Sequence, residues 1–513
     1  MKTITKVGLA LLSGMLMAAA WPVSGLAPLA FIAFVPLLFL EEKHYSFWIS
    51  YITFLTWNAL TTWWVWKTTA AGTIGMIVLN SLFMTCVFWA YHFVKTRLYD
   101  GKKGYFLLIV FVLAFEYLHL HWQINWPWLN LGNVFSHNHS WVQWYEFTGI
   151  AGGTVWVLLS NILIYKLLVN YKKAYIIYVL LALFVPLIVS KIIYCSYKEQ
   201  GSDVEMVVVQ PNLDPYTEEF TLNPIEIMRR NLSVAAPMMT ADTRFVVSPE
   251  SAVQENVWLE HIDRYYSIRQ LRNFIAAHPN SCYVIGVSTY GMAPDGSEND
   301  FAARRFNDVD KYFYAYNTAT LITLDSIQLY HKSRLTPGAE AMPSWWILRM
   351  LKDSAIDLGG TVGTLKKDTE ARVLSYDNHK IAPLICYESV FGEYVTEFVQ
   401  KGADLLTVIT NDGWWGRSPG HKQHLEFSKL RAIETRRSVA RSANTGISCF
   451  INQRGDIMQQ SQYDENVALR DTLKANCELT FYVRYGDYIY KIAVLLAALA
   501  VALTIVRLIT GKK

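Results

Sequence analysis

Charge is what this 513-residue chain has least of: Asp, Glu, Lys and Arg make up 17% of it, against about a quarter in an average soluble protein. With 52% hydrophobic residues beside that deficit, the chain reads as a membrane protein before any segment is inspected. The net charge of +4 is too small to argue for a nucleic-acid partner. Cysteine is scarce too. Cys86, Cys195, Cys282, Cys386, Cys449 and Cys477 form no C-x-x-C pair and no zinc spacing, which excludes a disulfide framework and a structural zinc site. Most of them read as small core hydrophobes. There is no internal repeat and no low-complexity tract. Two histidine clusters, HLHW at 119–122 and SHNHS at 136–140, lack a clustered acid or cysteine to complete a ligand set, so no metal is expected.

Long apolar runs are abundant, and they crowd the first two hundred residues. Spans are expected near 7–20, 26–40, 47–65, 74–94, 105–120, 148–165 and 174–190, with a last one at 488–508. A hydrocarbon core takes about 20 apolar residues per helix, so the first two runs are short. The opening run also fits a cleaved signal peptide, but further spans follow at once and favour an uncleaved helix. With the amino terminus inside, the cytoplasmic loops hold Lys2, Lys6, Lys43, Lys95, Arg97, Lys102, Lys103, Lys166, Lys172, Lys173, Arg507, Lys512 and Lys513, and the outer segments only Lys67, Lys191 and Lys198. That is a strong positive-inside bias. It predicts a membrane bundle of seven spans over 1–200, an extracytoplasmic domain over 201–486, and a final span with a cytoplasmic tail over 487–513. Trp63, Trp64, Trp66, Trp126 and Trp128 fall at outer ends and suit an interfacial belt. Glu116 lies inside a span, which makes it a functional candidate by default. Its preferred reading is structural, paired within the bundle to His119 or His121.

The polar stretch reads as an α/β domain. Strands are expected at 204–210, 245–250, 282–289, 319–324, 381–388 and 404–412, and helices at 223–234 and 424–440. Near-continuous β-branched runs such as VVV at 207–209 predict strands buried on both faces. Three strand ends each deliver one reactive side chain. SPESA carries Glu250, YHKSRLTPGAE carries Lys332 after a strand-like SIQLY, and LICYES carries Cys386. Strand ends on a rigid sheet are where α/β folds place catalysis. A thiol nucleophile needs a base, a buried carboxylate can serve, and an ammonium can hold the oxyanion that forms when a thiolate attacks an ester. Singly, each residue is more often ordinary core or solvated surface. Their order, each in a Pro- or Gly-containing turn, is far more specific.

The order Glu250, Lys332, Cys386 resembles the nitrilase (carbon–nitrogen hydrolase) superfamily, and the membrane context narrows the resemblance to its membrane-embedded branch, the apolipoprotein N-acyltransferases. It is carried by VVVQPN at 207–212, the Lys332 motif with Glu340 eight residues on, CYE at 386–388, TNDGWWG at 410–416, RSANTGIS at 441–448, VRYGD at 483–487, and, in the membrane part, Glu116 with WPWLNLG at 126–132. The family commonly has Phe-Gly-Glu where Gly338–Ala339–Glu340 stands.

The resemblance implies a polytopic helical bundle with an αββα sandwich domain. It also implies ping-pong acyl transfer from a phospholipid, through a Cys386 thioester, to the amino terminus of a diacylglyceryl apolipoprotein. Glu250 would be the base. Lys332 and a backbone N–H near Tyr387 would hold the oxyanion, and Glu340 and Glu388 would support them. Asn411 and the pairs Trp345–Trp346 and Trp414–Trp415 are candidate substrate contacts, although buried aromatics are the plainer reading. No cofactor is implied, the protein is expected to be monomeric in the inner membrane, and the catalytic domain is expected on the periplasmic side. The alternative is a membrane-anchored amidase or nitrilase acting on a small soluble substrate with the same three residues, but eight spans are excessive for an anchor. A transporter or scaffold with a degenerate domain is a further alternative, and the intact triad speaks against it.

Overall fold

The computed structural model describes residues 1–23, 25–99, 101, 103–219, 221–341 and 364–511. The chain forms two compact units, Met1–Tyr197 with Tyr485–Lys513, and Lys198–Arg484.

The first unit is helical: α1 (Thr3–Ala20), α2 (Val35–His44), α3 (Phe47–Thr62), α4 (Ala70–Tyr99), α5 (Phe106–His121), α6 (Tyr145–Asn170), α7 (Lys173–Ser196) and a C-terminal helix, Tyr488–Thr510. Among the described residues, five helices are long and apolar enough to cross a membrane by length and composition: α1, α4, α6, α7 and the C-terminal helix. The chain is a multi-pass membrane protein. The other three expected spans form shorter helices: α2 has 10 residues, and α3 and α5 have 16 each. The expected span 26–40 is broken because Pro28 sits in a 3-10 turn, Ala27–Phe31, and Pro36 in the first turn of α2, the positions a helix tolerates for proline. Within α7, Pro186 cannot bond to the carbonyl of Ala182, and the indole Nε1 of Trp156 donates to that oxygen instead, at 2.7 Å. Gly14 lets α1 and α3 touch: a Cβ there would lie 2.5 Å from the Thr53 carbonyl.

Three expectations in this unit are corrected. Lys95 is not a free loop charge. It is 1% exposed, and its Nζ donates to Glu41 Oε2 at 2.5 Å, because a buried ammonium needs a partner. Trp64, Trp126 and Trp128 pack on one another with centroids 5.2–6.4 Å apart, Trp126 and Trp128 stacked and Trp64 tilted to both, and Trp64 and Trp128 are buried, while Trp63 and Trp66 are exposed. Glu116 pairs with neither histidine. Its Oε1 accepts from Leu131 N at 2.7 Å, and its Oε2 from Thr154 Oγ1 at 2.8 Å and Tyr490 OH at 3.0 Å. It thus ties the 126–132 segment to α6 and the C-terminal helix.

The second unit is an αββα sandwich. Its elements run β1 (Ser202–Gln210), α8 (Pro224–Ala235), β2 (Thr243–Val247), β3 (Val253–Trp258), α9 (Tyr266–Ala276), β4 (Cys282–Met292), β5 (Arg304–Arg305), β6 (Tyr312–Ile322), β7 (Ile327–His331), β8 (Leu374–Tyr376), β9 (His379–Ile385), α10 (Gly392–Gln400), β10 (Leu405–Thr410), α11 (Pro419–Thr435), β11 (Val439–Ala443), β12 (Cys449–Ile451), β13 (Ile457–Gln460) and β14 (Val467–Ala475). One sheet has the order β14-β1-β2-β4-β6-β5, with β3 also on β4 and β7 also on β6; the other is β13-β12-β11-β10-β9-β8.

The centres are parallel, with β1 on β2 on β4 and β9 on β10 on β11, so the VVV run at 207–209 is covered on both faces and fully buried. Met228, Ile268, Leu271 and Ile275 of α8 and α9 pack on Val207, Val209, Val246 and Ile285. Helix α10 packs on β9 and on α11, and the Ser442 hydroxyl donates to the Val209 carbonyl at 2.7 Å between the sheets. Asn223 and Ser418 cap α8 and α11 ahead of Pro224 and Pro419, as helix starts prefer. The helix expected at 424–440 therefore begins earlier and ends at Thr435, and the strand expected at 319–324 is the end of the longer β6.

Candidate active site

Each of the three reactive residues follows a strand. Glu250 comes three residues after β2, Lys332 directly after β7, and Cys386 directly after β9. Beneath Glu250 lies Gly286 of β4. A Cβ there would come within 2.6 Å of Glu250 Cα, so only glycine lets the Glu250 turn sit down on the sheet. Cys386 has φ +49°, a left-handed conformation costly for a side chain with a Cβ and of the kind that clusters at functional sites. It opens a 3-10 turn, Cys386–Val390, and its side chain is half-buried.

The structure brings the charges together. Lys332 Nζ donates to Glu250 Oε1 at 3.0 Å and to Glu340 Oε1 at 2.9 Å. Asn317 Nδ2, from β6, bridges the same two oxygens at 2.8 and 2.9 Å. Burial pulls the Lys332 ammonium down, but the Glu250 and Glu340 carboxylates outweigh it and hold its pKa well above the ordinary lysine range. Burial pushes Glu340 up, and Lys332 overcomes that and lowers it. For the Cys386 thiol, burial and then the Glu250 charge push the pKa well above normal, against the pull of Lys332. Both effects favour the thiol over the thiolate.

Glu388 clamps the Cys386 turn to the Lys332 loop. Its Oε1 accepts from Ser333 N at 2.7 Å, Arg334 N at 3.2 Å and Tyr330 OH at 2.5 Å, and its Oε2 from Ile385 N at 2.9 Å. Burial raises its pKa to about 7. Tyr387 is buried, its ring edge-on to Phe391. Asn411 donates its backbone N–H to Glu250 Oε2 at 3.2 Å, so this candidate substrate contact is packed directly on the carboxylate. Trp414 and Trp415 are half-buried beside the site, on Tyr216 and His424 respectively. Trp345 and Trp346 lie outside the described residues.

Sequence reasoning did not find Asn317, nor Glu219, a buried carboxyl that accepts from the Asn411 amide and whose pKa burial and Glu250 push well up. It also missed Asp412, His424 and Arg441, a buried network behind the Cys386 turn. Asp412 and Arg441 stand in motifs already singled out, TNDGWWG and RSANTGIS, and their charge within those motifs was the available signal.

Residues 13–163 match the apolipoprotein N-acyltransferase N-terminal domain, and residues 276–480 match carbon–nitrogen hydrolase. The second match contains Lys332 and Cys386 but stops short of Glu250, which reaches the site through the fold. The apolipoprotein N-acyltransferase of Chlorobaculum tepidum is 28% identical, over 97% of this chain and 96% of its own. That of Geobacter metallireducens is 27% identical, over 96% and 94%. Among solved structures, a nitrilase-superfamily protein of Saccharomyces cerevisiae superposes with a TM-score of 0.39 at 15% identity, covering 54% of this chain and 93% of that one.

Proposed function

The chain belongs to the apolipoprotein N-acyltransferase family, and on that premise we propose that Glu250, Lys332 and Cys386 carry its acyl transfer from a phospholipid to the amino terminus of a diacylglyceryl apolipoprotein. The observation that carries the assignment is the convergence of one buried ammonium and two carboxylates on the loop facing a strained, half-buried cysteine. Glu250 takes the proton of Cys386. The thiolate attacks the ester carbonyl, and the oxyanion is held by Lys332 and the Tyr387 N–H. The intermediate collapses, the C–O bond breaks, and the lysophospholipid leaves with the proton from Glu250. The substrate amine then attacks the thioester and gives its proton to Glu250, and the Cys386 thiolate departs as the amide forms. Glu340 and Asn317 hold Lys332 and Glu250 in register, and Glu388 holds the two loops.

The catalytic unit belongs on the periplasmic side of the inner membrane, with both termini cytoplasmic. Setting Lys95 aside as internally paired, Lys2, Lys6, Lys43, Arg97, Lys103, Lys172, Lys173 and Arg507 still put the basic excess on the other side. The test of the chemistry is intact-mass spectrometry of the purified protein mixed with phospholipid. A single-acyl gain on the peptide containing Cys386 is expected. Acylation at another residue, or none, would overturn the assignment.

A further inference from the structure

We propose that His424 is a positioning residue for this chemistry, fixing the Cys386 carbonyl from behind and so aiming the Tyr387 N–H at the oxyanion. The inference rests on the acyl-transfer reading of Cys386. It starts from the strained turn. At φ +49°, Cys386 keeps its conformation only if its peptide groups are held. Its carbonyl accepts from Ser389 Oγ at 2.8 Å and faces His424 Nε2 at 3.1 Å, and Nε2 and Ser389 Oγ are themselves 3.0 Å apart. A carbonyl oxygen can only accept, so this contact puts a proton on Nε2.

The ring is held in turn. With the proton on Nε2, Nδ1 of the neutral ring accepts from Arg441 Nη2 at 3.0 Å, and Asp412, whose Oδ1 lies 2.9 Å from that nitrogen, acts on the ring by holding Arg441. Arg441 Nη2 donates to Asp412 Oδ2 at 2.6 Å, and Thr410 Oγ1 donates to Asp412 Oδ1 at 2.8 Å. The Trp415 ring lies edge-on to the imidazole, with centroids 5.7 Å apart. His424, Asp412 and Arg441 are all buried.

In a trans peptide the C=O and the next N–H point in opposite directions, and no peptide bond among the described residues is cis. Holding the Cys386 carbonyl toward His424 therefore turns the Tyr387 N–H to the opposite side. A buried ion pair seldom stabilises better than apolar packing would. Three buried ionisable groups serving one carbonyl therefore point to orientation rather than to stability.

The experiment compares two reactions of Cys386 in the full-length protein in detergent. Acylation by p-nitrophenyl butyrate develops an oxyanion; alkylation by iodoacetamide does not, although both require the thiol to lose its proton. Each is followed by mass at the Cys386 peptide. In His424→Asn and Ser389→Ala, acylation should slow by about ten- to a hundredfold while alkylation is nearly unchanged. His424→Gln, whose amide nitrogen can reach the Nε2 position, should retain most of the acylation rate. Equal slowing of both reactions would mean that the turn has merely collapsed, and would overturn the proposal, as would unchanged acylation. Where His424→Asn does not fold, Ser389→Ala, which loses one hydroxyl from the same carbonyl, decides the matter. A wild-type Cys386 that takes no acyl group would instead overturn the acyl-transfer reading beneath it.

Discussion

Lys332→Met should convert the centre of the site from an ion triad into two opposed carboxylates. The ammonium lies 3.0 Å from Glu250 Oε1 and 2.9 Å from Glu340 Oε1, and after its removal Asn317 Nδ2 still joins those oxygens. Leaving a buried charge without its partner costs about 3–5 kcal/mol. For a unit the size of Lys198–Arg484 that is a fall of about 6–10 °C in apparent Tm. The pH dependence carries the argument. In the wild type, Lys332 lowers the Glu340 pKa, so that group contributes stability at pH above the ordinary carboxylate range and loses it as pH falls. In the variant the pull of Lys332 is gone, and burial raises the Glu340 pKa against the hydrogen bonds from Thr336 N and Asn317, so the penalty is largest at alkaline pH and shrinks as the carboxyl protonates. Wild type and variant should therefore differ most near about pH 8 and converge toward about pH 5. Adding Glu340→Gln should recover part of the loss at neutral pH. Thermal unfolding of the detergent-solubilised protein, read by tryptophan fluorescence, is the measurement. A gap that is constant with pH, or untouched by Glu340→Gln, would refute the electrostatic account of the triad.

Cys386→Ser should remain folded, with Tm within a degree or two of wild type, and lose about a thousandfold or more in acyl transfer to a lipopeptide; near-normal turnover would remove Cys386 from its role. Glu250→Gln and Lys332→Met should differ in kind. The first slows Cys386 acylation most at neutral pH and recovers in alkali as the thiol ionises unaided, whereas the second loses oxyanion stabilisation of about 2–4 kcal/mol that alkali does not restore. Matching pH profiles for the two variants would contradict the assignment. In intact spheroplasts of a Cys-depleted background, a membrane-impermeant maleimide should label a cysteine placed at exposed Asp295 but not one at exposed Lys103 until the membrane is broken. The reverse pattern would invert the topology.

The residues proposed to perform the chemistry were legible in the chain because they stand in local motifs. Glu250, Lys332 and Cys386 each follow an apolar run, and a run of β-branched residues ending in a reactive side chain can be read without knowing its neighbours. The buried parallel strands were legible for the same reason, since VVV at 207–209 needs cover on both faces wherever it lies. Helix limits were less so. Pro28 and Pro36 break an apolar stretch that hydropathy joins, and Pro419 starts α11 five residues ahead of its expected start.

What the sequence determined by itself was the class of molecule and the candidates for the reacting groups, because composition and short motifs are properties of neighbouring residues. Tertiary structure decided the partners. Asn317 comes to Glu250 from 67 positions away, and Tyr490 to Glu116 from 374. Lys95 is neutralised by Glu41 across 54, and His424 reaches the Cys386 carbonyl from another element altogether. A hydrogen bond or an ion pair acts over about 3 Å, and proximity on that scale between distant residues is created by folding, so no reading along the chain could have supplied it.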